Sequence, residues 1–220
     1  MCRGKSQCDE LGADISTWNT KTPLQPPTWF SDQIAIFEQA FKLATQGDIN
    51  ESIEVLKTMR NTDLQDWYIE HGQVSGRFRN KILQIPRNKS KDTICDPLRS
   101  PEKYAEEVFK RDNYTCQYCG GKVISKKILK KYEGLVGSDH FRSTGTNRQR
   151  HGIVLASRAN ADHIIPWNLG GKTNPDNLIT SCWSCNYGKA GYTLDQLKLD
   201  NPKNNNHTNK NWFGLMNYLK

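Results

Sequence analysis

The sequence predicts an α+β fold: a strand–strand–helix core on a four-cysteine zinc site, preceded by a mainly helical N-terminal region. Three observations carry this. Two Cys-x-x-Cys pairs are present, Cys116/Cys119 in YTCQYCGG and Cys182/Cys185 in SCWSCNYG. That spacing puts both thiolates of a pair on one metal, and four thiolates suit a closed, tetrahedral, structural zinc site. ADHIIPW and NLITSC have strand character, the turn-forming LGGKTNPD separates them, and CWSCNYGKA then turns into a helix. Upstream, apolar residues recur at helical spacing.

The elements follow in order. Residues 1–30 read as an irregular arm, because KTPLQPPTW is too proline-rich for a helix. Ser31 is a candidate cap for a helix carrying Ile34, Phe37, Phe41 and Leu43 and ending at Gly47. Asn50 caps a second, with Ile53, Leu56 and Met59. Thr62 starts a third, with Leu64, Trp67 and Tyr68, closing at His71-Gly72. Residues 72–99 read as a loop with Arg77, Arg79, Lys81, Arg87, Lys89 and Lys91 interspersed. Ser100-Pro101 begins the helix PEKYAEEVFKRD, which leads into the first cysteine pair. NPKNNNHTNKN at 201–211 is a polar linker, and WFGLMNYLK has enough apolar residues to dock back. The expected division is 1–99, arm and helical region; 100–200, the zinc-held domain with a basic insert at 120–161; and 201–220, linker and terminal segment.

Bulk properties narrow the function. Among 220 residues no apolar run approaches a membrane span, and MCRGKSQCDE lacks the apolar stretch of a signal peptide. Seven cysteines, four claimed by zinc, suit a reducing cytoplasm better than a disulfide scaffold. Cys2, Cys8 and Cys95 read as free thiols, the other reading being part of a second metal site. The net charge is +8, and +7 of it lies within residues 120–161. A polyanion bound there gains affinity by counterion release. Lys126, Lys127, Lys130 and Lys131 are the candidate contacts, the other reading being a solvated basic loop. Arg148, Arg150 and His151 are candidates for base edges or phosphates in a groove.

RDNYTCQYCGG, ADHIIPW, the Gly170-Gly171 pair before spaced asparagines, and CWSCN-x-x-K together resemble the HNH endonucleases, also called ββα-metal nucleases. The resemblance covers roughly residues 111–189 and implies cleavage of a DNA phosphodiester. His163 then corresponds to the general base; imidazole is neutral near pH 7 and can take a proton from water. Asp162 corresponds to the anionic ligand of a catalytic divalent cation and Asn186 to a neutral one, where many members use histidine. Two oxygen ligands favour Mg²⁺ or Mn²⁺. Asn177 is expected to hold the base or its loop. Lys189, one turn beyond Asn186, is either a phosphate contact or an ordinary surface lysine. Asp139-His140 repeats the dipeptide but lacks the glycine pair and the asparagines.

The resemblance and the long insert point to a sequence-specific restriction or defence nuclease acting on double-stranded DNA, encoded by a prokaryote or phage. A homing or nicking nuclease is the alternative within the enzyme class. The other class is a zinc-stabilised DNA-binding module or effector subunit that needs a partner. A palindromic target would imply a two-fold homodimer.

Overall fold

The computed structural model describes residues 12, 14–86 and 96–219. Cys2, Cys8, Cys95, Arg87, Lys89 and Lys91 lie outside the described residues. Helix α1 (Phe30–Gln46) buries Phe30, Ile34, Phe37, Phe41 and Ala44 as one stripe. It ends where Gly47 turns left-handed at φ 99°, a conformation glycine adopts without cost. Ser31 is not its cap; it sits in the first turn, and its hydroxyl donates to the Thr28 carbonyl. Helix α2 (Ile49–Lys57) starts at Asp48, two residues before the expected cap. Helix α3 (Asn61–Trp67) continues into one π-helical turn (Tyr68–Gly72), closing at the glycine the sequence marks.

The stretch expected to be a loop contains helix α4 (Ser75–Leu83). Its sequence, SGRFRNKIL, hides the helix because the buried face includes a charge. Arg79 is only 1% exposed and lies over the Trp18 ring. It donates to the backbone carbonyls of Pro23, Leu197, Asn19 and Thr22. One side chain thus binds the irregular arm, α4 and the segment after the zinc core.

Helix α5 (Glu102–Arg111) leads to the first cysteine pair; Pro101 rather than Ser100 takes the N-cap position, and Ser100 Oγ, one residue earlier than a cap, accepts from the Glu102 N–H. The basic insert is not a loose loop. Helix α6 (Lys126–Val136) buries Ile128, Leu129, Tyr132 and Val136 and leaves Lys126, Lys127, Lys130 and Lys131 exposed. Tyr132 packs edge-on against Phe37 and Phe141, and its hydroxyl shares a hydrogen bond with Ser52. Helix α7 (Gly152–Ser157) approaches α3 so closely that a Cβ on Gly152 would lie 2.4 Å from the Asn61 carbonyl oxygen. Gln65 donates to the carbonyls of Arg148 and Arg150, fixing the chain just before α7.

The sheet has two antiparallel strands, β1 (Ala159–His163) and β2 (Leu178–Cys182), with Asp162 opposite Ile179 and His163 opposite Leu178. Strand β1 starts earlier than ADHIIPW suggests and stops at His163. Helix α8 (Trp183–Lys189) follows β2 without a gap, and a short α9 (Leu194–Leu197) comes next. The polar segment after residue 200 is hydrogen-bonded rather than free. Asn205 donates to Gln117 O, Gln117 to His207 O, and Asn209 to Thr115 Oγ1. Trp212 and Leu215 then bury themselves in the core, as the apolar terminal segment implies. One contiguous apolar core runs from Trp18 to Leu215, so the N-terminal helices and the zinc-held region share it.

His151, a sequence candidate for groove contact, is instead the cap of α7. It is 8% exposed, stacks on Phe141, and its Nδ1 accepts the Ile153 N–H. Burial pushes its pKa down to about 4. The unfolded chain takes that proton near pH 6.5 and the folded chain does not. Stability should therefore fall as pH drops from about 6.5 to about 4, by about 3 kcal/mol from this group. His151→Asn keeps a capping oxygen and removes the titration. Urea unfolding at pH 7 and pH 5 should show a smaller loss for that variant than for wild type; an equal loss would clear His151 of the effect.

A candidate nuclease site on a four-cysteine cluster

Strand β1, the start of α5 and the C-terminal end of α8 enclose a cleft of about 740 Å³, which Asp162, His163, Asn186 and Lys189 all line. Behind it, Cys116, Cys119, Cys182 and Cys185 place their sulfurs within 4.8 Å of one another, none in a disulfide. Zinc bound tetrahedrally at about 2.3 Å separates its sulfurs by about 3.8 Å. The Cys119 and Cys182 sulfurs are 3.9 Å apart, so the cluster fits that ion. Cys182 closes β2 and caps α8, its sulfur accepting the Cys185 N–H.

The cluster is tied to the cleft by Tyr118, the second of the two residues between Cys116 and Cys119. Tyr118 is fully buried, and its hydroxyl donates to Asp162 Oδ2 at 2.9 Å. Sequence reading passes over it, although its place inside Cys-x-x-Cys fixes it beside the metal. Asp162 is itself buried. Burial pushes its carboxyl up, while Lys189 and Tyr118 pull it back.

Lys189 differs from both readings of the sequence. It lines the cleft but offers no exposed surface, being 0% exposed. The last turn of α8 directs it inward, where Nζ donates to the His163 carbonyl and lies 3.7 Å from Asp162 Oδ1. Burial lowers its pKa and Asp162 opposes this, the pattern of a buried pair that holds its charge by mutual contact.

His163 ends β1 half-buried. Its Nε2 is 2.8 Å from Thr173 Oγ1, and that hydroxyl donates its one proton to the Leu98 carbonyl. A hydroxyl that has spent its proton can only accept, so Nε2 carries the hydrogen and Nδ1 the lone pair. No described residue hydrogen-bonds Nδ1. Asp96 accepts the Thr173 N–H, which fixes the threonine in turn. Burial and Lys189 push the His163 pKa down, keeping the ring neutral, with Asp96 opposing. Thr173 and Asp96 were not legible as site residues, because their contacts cross from residues 96–98 to the turn after the glycine pair.

Asn177 clasps that turn. Its Oδ1 accepts the Ile165 N–H, and its Nδ2 donates to the carbonyls of Ile165 and Lys172. Gly171 is required there, since a Cβ would fall 1.8 Å from the Ile165 carbonyl oxygen. Asn186 projects from the middle of α8, half-buried, and its amide makes no hydrogen bond to a described residue. One carboxylate and one uncommitted amide on the same cleft fit a hard divalent cation that keeps several waters. Asp139 and His140 are exposed in a turn and do not line the cleft.

Lys126 reaches the cleft wall from the first turn of α6, and Lys127, Lys130 and Lys131 continue along that helix. Arg148 is exposed and paired with Asp66. Arg150 is half-buried and lies over the Trp183 ring.

The cluster makes a direct prediction. Purified protein should carry one tightly held zinc per chain. Cys182→Ser should lose it and unfold the region around β2 and α8, because structural zinc binding is coupled to folding. Elemental analysis with circular dichroism tests both, and a zinc-free but folded wild type would refute the assignment.

Residues 147–190 match the family model described as HNH endonuclease. The match covers α7, both strands, the intervening turn and α8. No curated protein and no solved structure matches the chain. The first cysteine pair lies outside the match and is brought to the second only by the fold. The chain thus carries an HNH endonuclease domain, and its four clustered cysteines fit the zinc-binding type of that family.

Proposed function

We propose that the protein is a metal-dependent DNA endonuclease that cuts at specific sequences, a restriction or other defence enzyme. The observation that carries the hydrolytic reading is the imidazole of His163 in the cleft, hydrogen-bonded through Nε2 to a Thr173 hydroxyl that donates elsewhere, so that Nδ1 is left to accept. In this reading Nδ1 takes a proton from water as the water oxygen bonds to phosphorus and the bond to the leaving sugar oxygen breaks. Asp162 and Asn186 would hold Mg²⁺ or Mn²⁺. That cation, when bound, supplies positive charge against the phosphate and the leaving oxygen. Lys189 offsets the carboxylate and holds the end of β1, so its role is positioning rather than contact with substrate.

Sequence specificity is supported by the insert. Helices α6 and α7 and the chain between them add surface beside the cleft, with four lysines exposed on α6. A palindromic target would bring two copies together. Plasmid DNA with Mg²⁺ should yield discrete fragments. Nicked circles would indicate a nickase, a smear a nonspecific nuclease, and intact plasmid a binding module or a missing partner.

His163→Ala should abolish cleavage, on the order of a hundred- to ten-thousand-fold in rate, with duplex binding almost unchanged. Thr173→Val should lower kcat roughly ten- to a hundred-fold through a lost buried hydrogen bond of about 1–3 kcal/mol, and leave KM nearly constant. Thr173→Ser should restore kcat. Equal kcat for the valine and serine variants would remove Thr173 from the mechanism.

Replacing Lys126, Lys127, Lys130 and Lys131 with glutamine should flatten the dependence of log K on log salt by roughly 0.9 per lost phosphate contact. An unchanged slope would make α6 a solvated face only.

A further inference from the structure

Two arginines beside the cleft form no ion pair with any described residue. Arg158 follows α7 and precedes β1, and Arg150 lies in the segment that Gln65 holds. Both guanidinium groups lie over the Trp183 ring, at 4.5 and 5.0 Å from its centroid. The Nε atom of each is sealed from solvent without a hydrogen-bond partner. Among the described residues, the Arg158 guanidinium makes no hydrogen bond or ion pair, and Arg150 makes one hydrogen bond, from Nη1 to Asn147 Oδ1 at 3.1 Å. Arg60, Arg111 and Arg148 each pair with a carboxylate, and Arg79 with backbone carbonyls. Burial and the neighbouring Arg150 push the Arg158 guanidinium toward neutrality. Glu102 attracts it from the start of α5 without forming an ion pair.

Two adjacent cations without a carboxylate partner mark a place for an anion, which would meet the Nη donors because the Nε atoms are sealed. The planar fork of arginine matches phosphate oxygens in pairs. Trp183 holds both planes, and Arg158 lines the same cleft as His163. The two residues lie at opposite ends of β1, about 16 Å apart along the strand. We propose that Arg150 and Arg158, braced on Trp183, form a second phosphate site of this cleft, which binds a backbone phosphate of the nucleic acid away from the one that is cut. The source of that phosphate rests on the nuclease reading; the anion site itself does not.

The test uses the full chain without added divalent cation, so that binding is read apart from cutting. Duplex affinity is measured against salt for wild type, Arg150→Met, Arg158→Met and the double variant. Each substitution should flatten the slope by roughly 0.9, and the double by roughly 1.8, with no fall in Tm. Should the methionine variants not fold, the double Arg-to-Lys variant keeps both charges but loses the fork, and it should bind the duplex more weakly at the wild-type slope. In parallel, inorganic phosphate is titrated into ¹⁵N-labelled wild type, and the Nε–H signals of these two arginines should move before those of other arginines. A wild-type slope in the double variant, with neither signal moved by phosphate, would overturn the site while leaving the nuclease reading intact. Phosphate-induced shifts in a protein with no duplex affinity would keep the anion site and remove the nucleic acid.

Discussion

Convergence of four sulfurs to within 4.8 Å is the constraint on which the rest depends. It joins two chain segments more than sixty residues apart and fixes the corner where β2 becomes α8. Every group of the cleft is placed relative to that corner. Asn186 and Lys189 follow on α8, and Asp162 and His163 lie on the strand paired with β2. The C-terminal segment covers the first cysteine pair, and Arg79 ties the N-terminal arm to the opposite side. With zinc bound, four thiolates carry a net charge of −2. Thr22 Oγ1 lies 3.4 Å from the Cys185 sulfur, and Arg79 donates to the Thr22 carbonyl. The buried cation therefore serves as a counter-charge to the cluster as well as a clamp for the backbone.

The cluster and the cleft are one polar system rather than two neighbours. Tyr118 leaves the cysteine knuckle and ends on Asp162; Lys189 leaves the helix that Cys182 caps and ends on the same carboxylate and on the His163 carbonyl. A carboxylate this buried is costly unless both its charge and its lone pairs are met. The tyrosine and the lysine meet them from opposite sides. A structural metal on the four cysteines would thus act on the site by position. It would hold stiff the elements whose side chains offset the burial of Asp162 and keep His163 in place.

On the N-terminal side, packing joins what composition suggests are separate parts. Phe37, Tyr132 and Phe141 interlock across α1 and the insert, and Gly152 lets α3 and α7 approach at backbone distance. The insert is therefore held as a rigid shelf. Its apolar side belongs to the core, and its four exposed lysines face away from it.

The sequence by itself determined the four cysteines that cluster, the strand–turn–strand–helix order and the dipeptide at the end of β1. Each of these is a local pattern: two-residue cysteine spacing, β-prone runs and a glycine-rich turn. It also determined the first three helices to within a residue or two, because their buried stripes are mainly apolar and carry no charge. Helix α4 was illegible because its buried face carries Arg79, and burial of a charge cannot be read from periodicity. Tertiary structure alone decided the positions of Lys189, His151 and Thr173. Lysine and histidine are usually solvated, and only a facing carboxylate or a packed aromatic ring turns them inward. Thr173 acquires its part in orienting His163 from a carbonyl seventy-five residues earlier in the chain, a contact that no local spacing encodes.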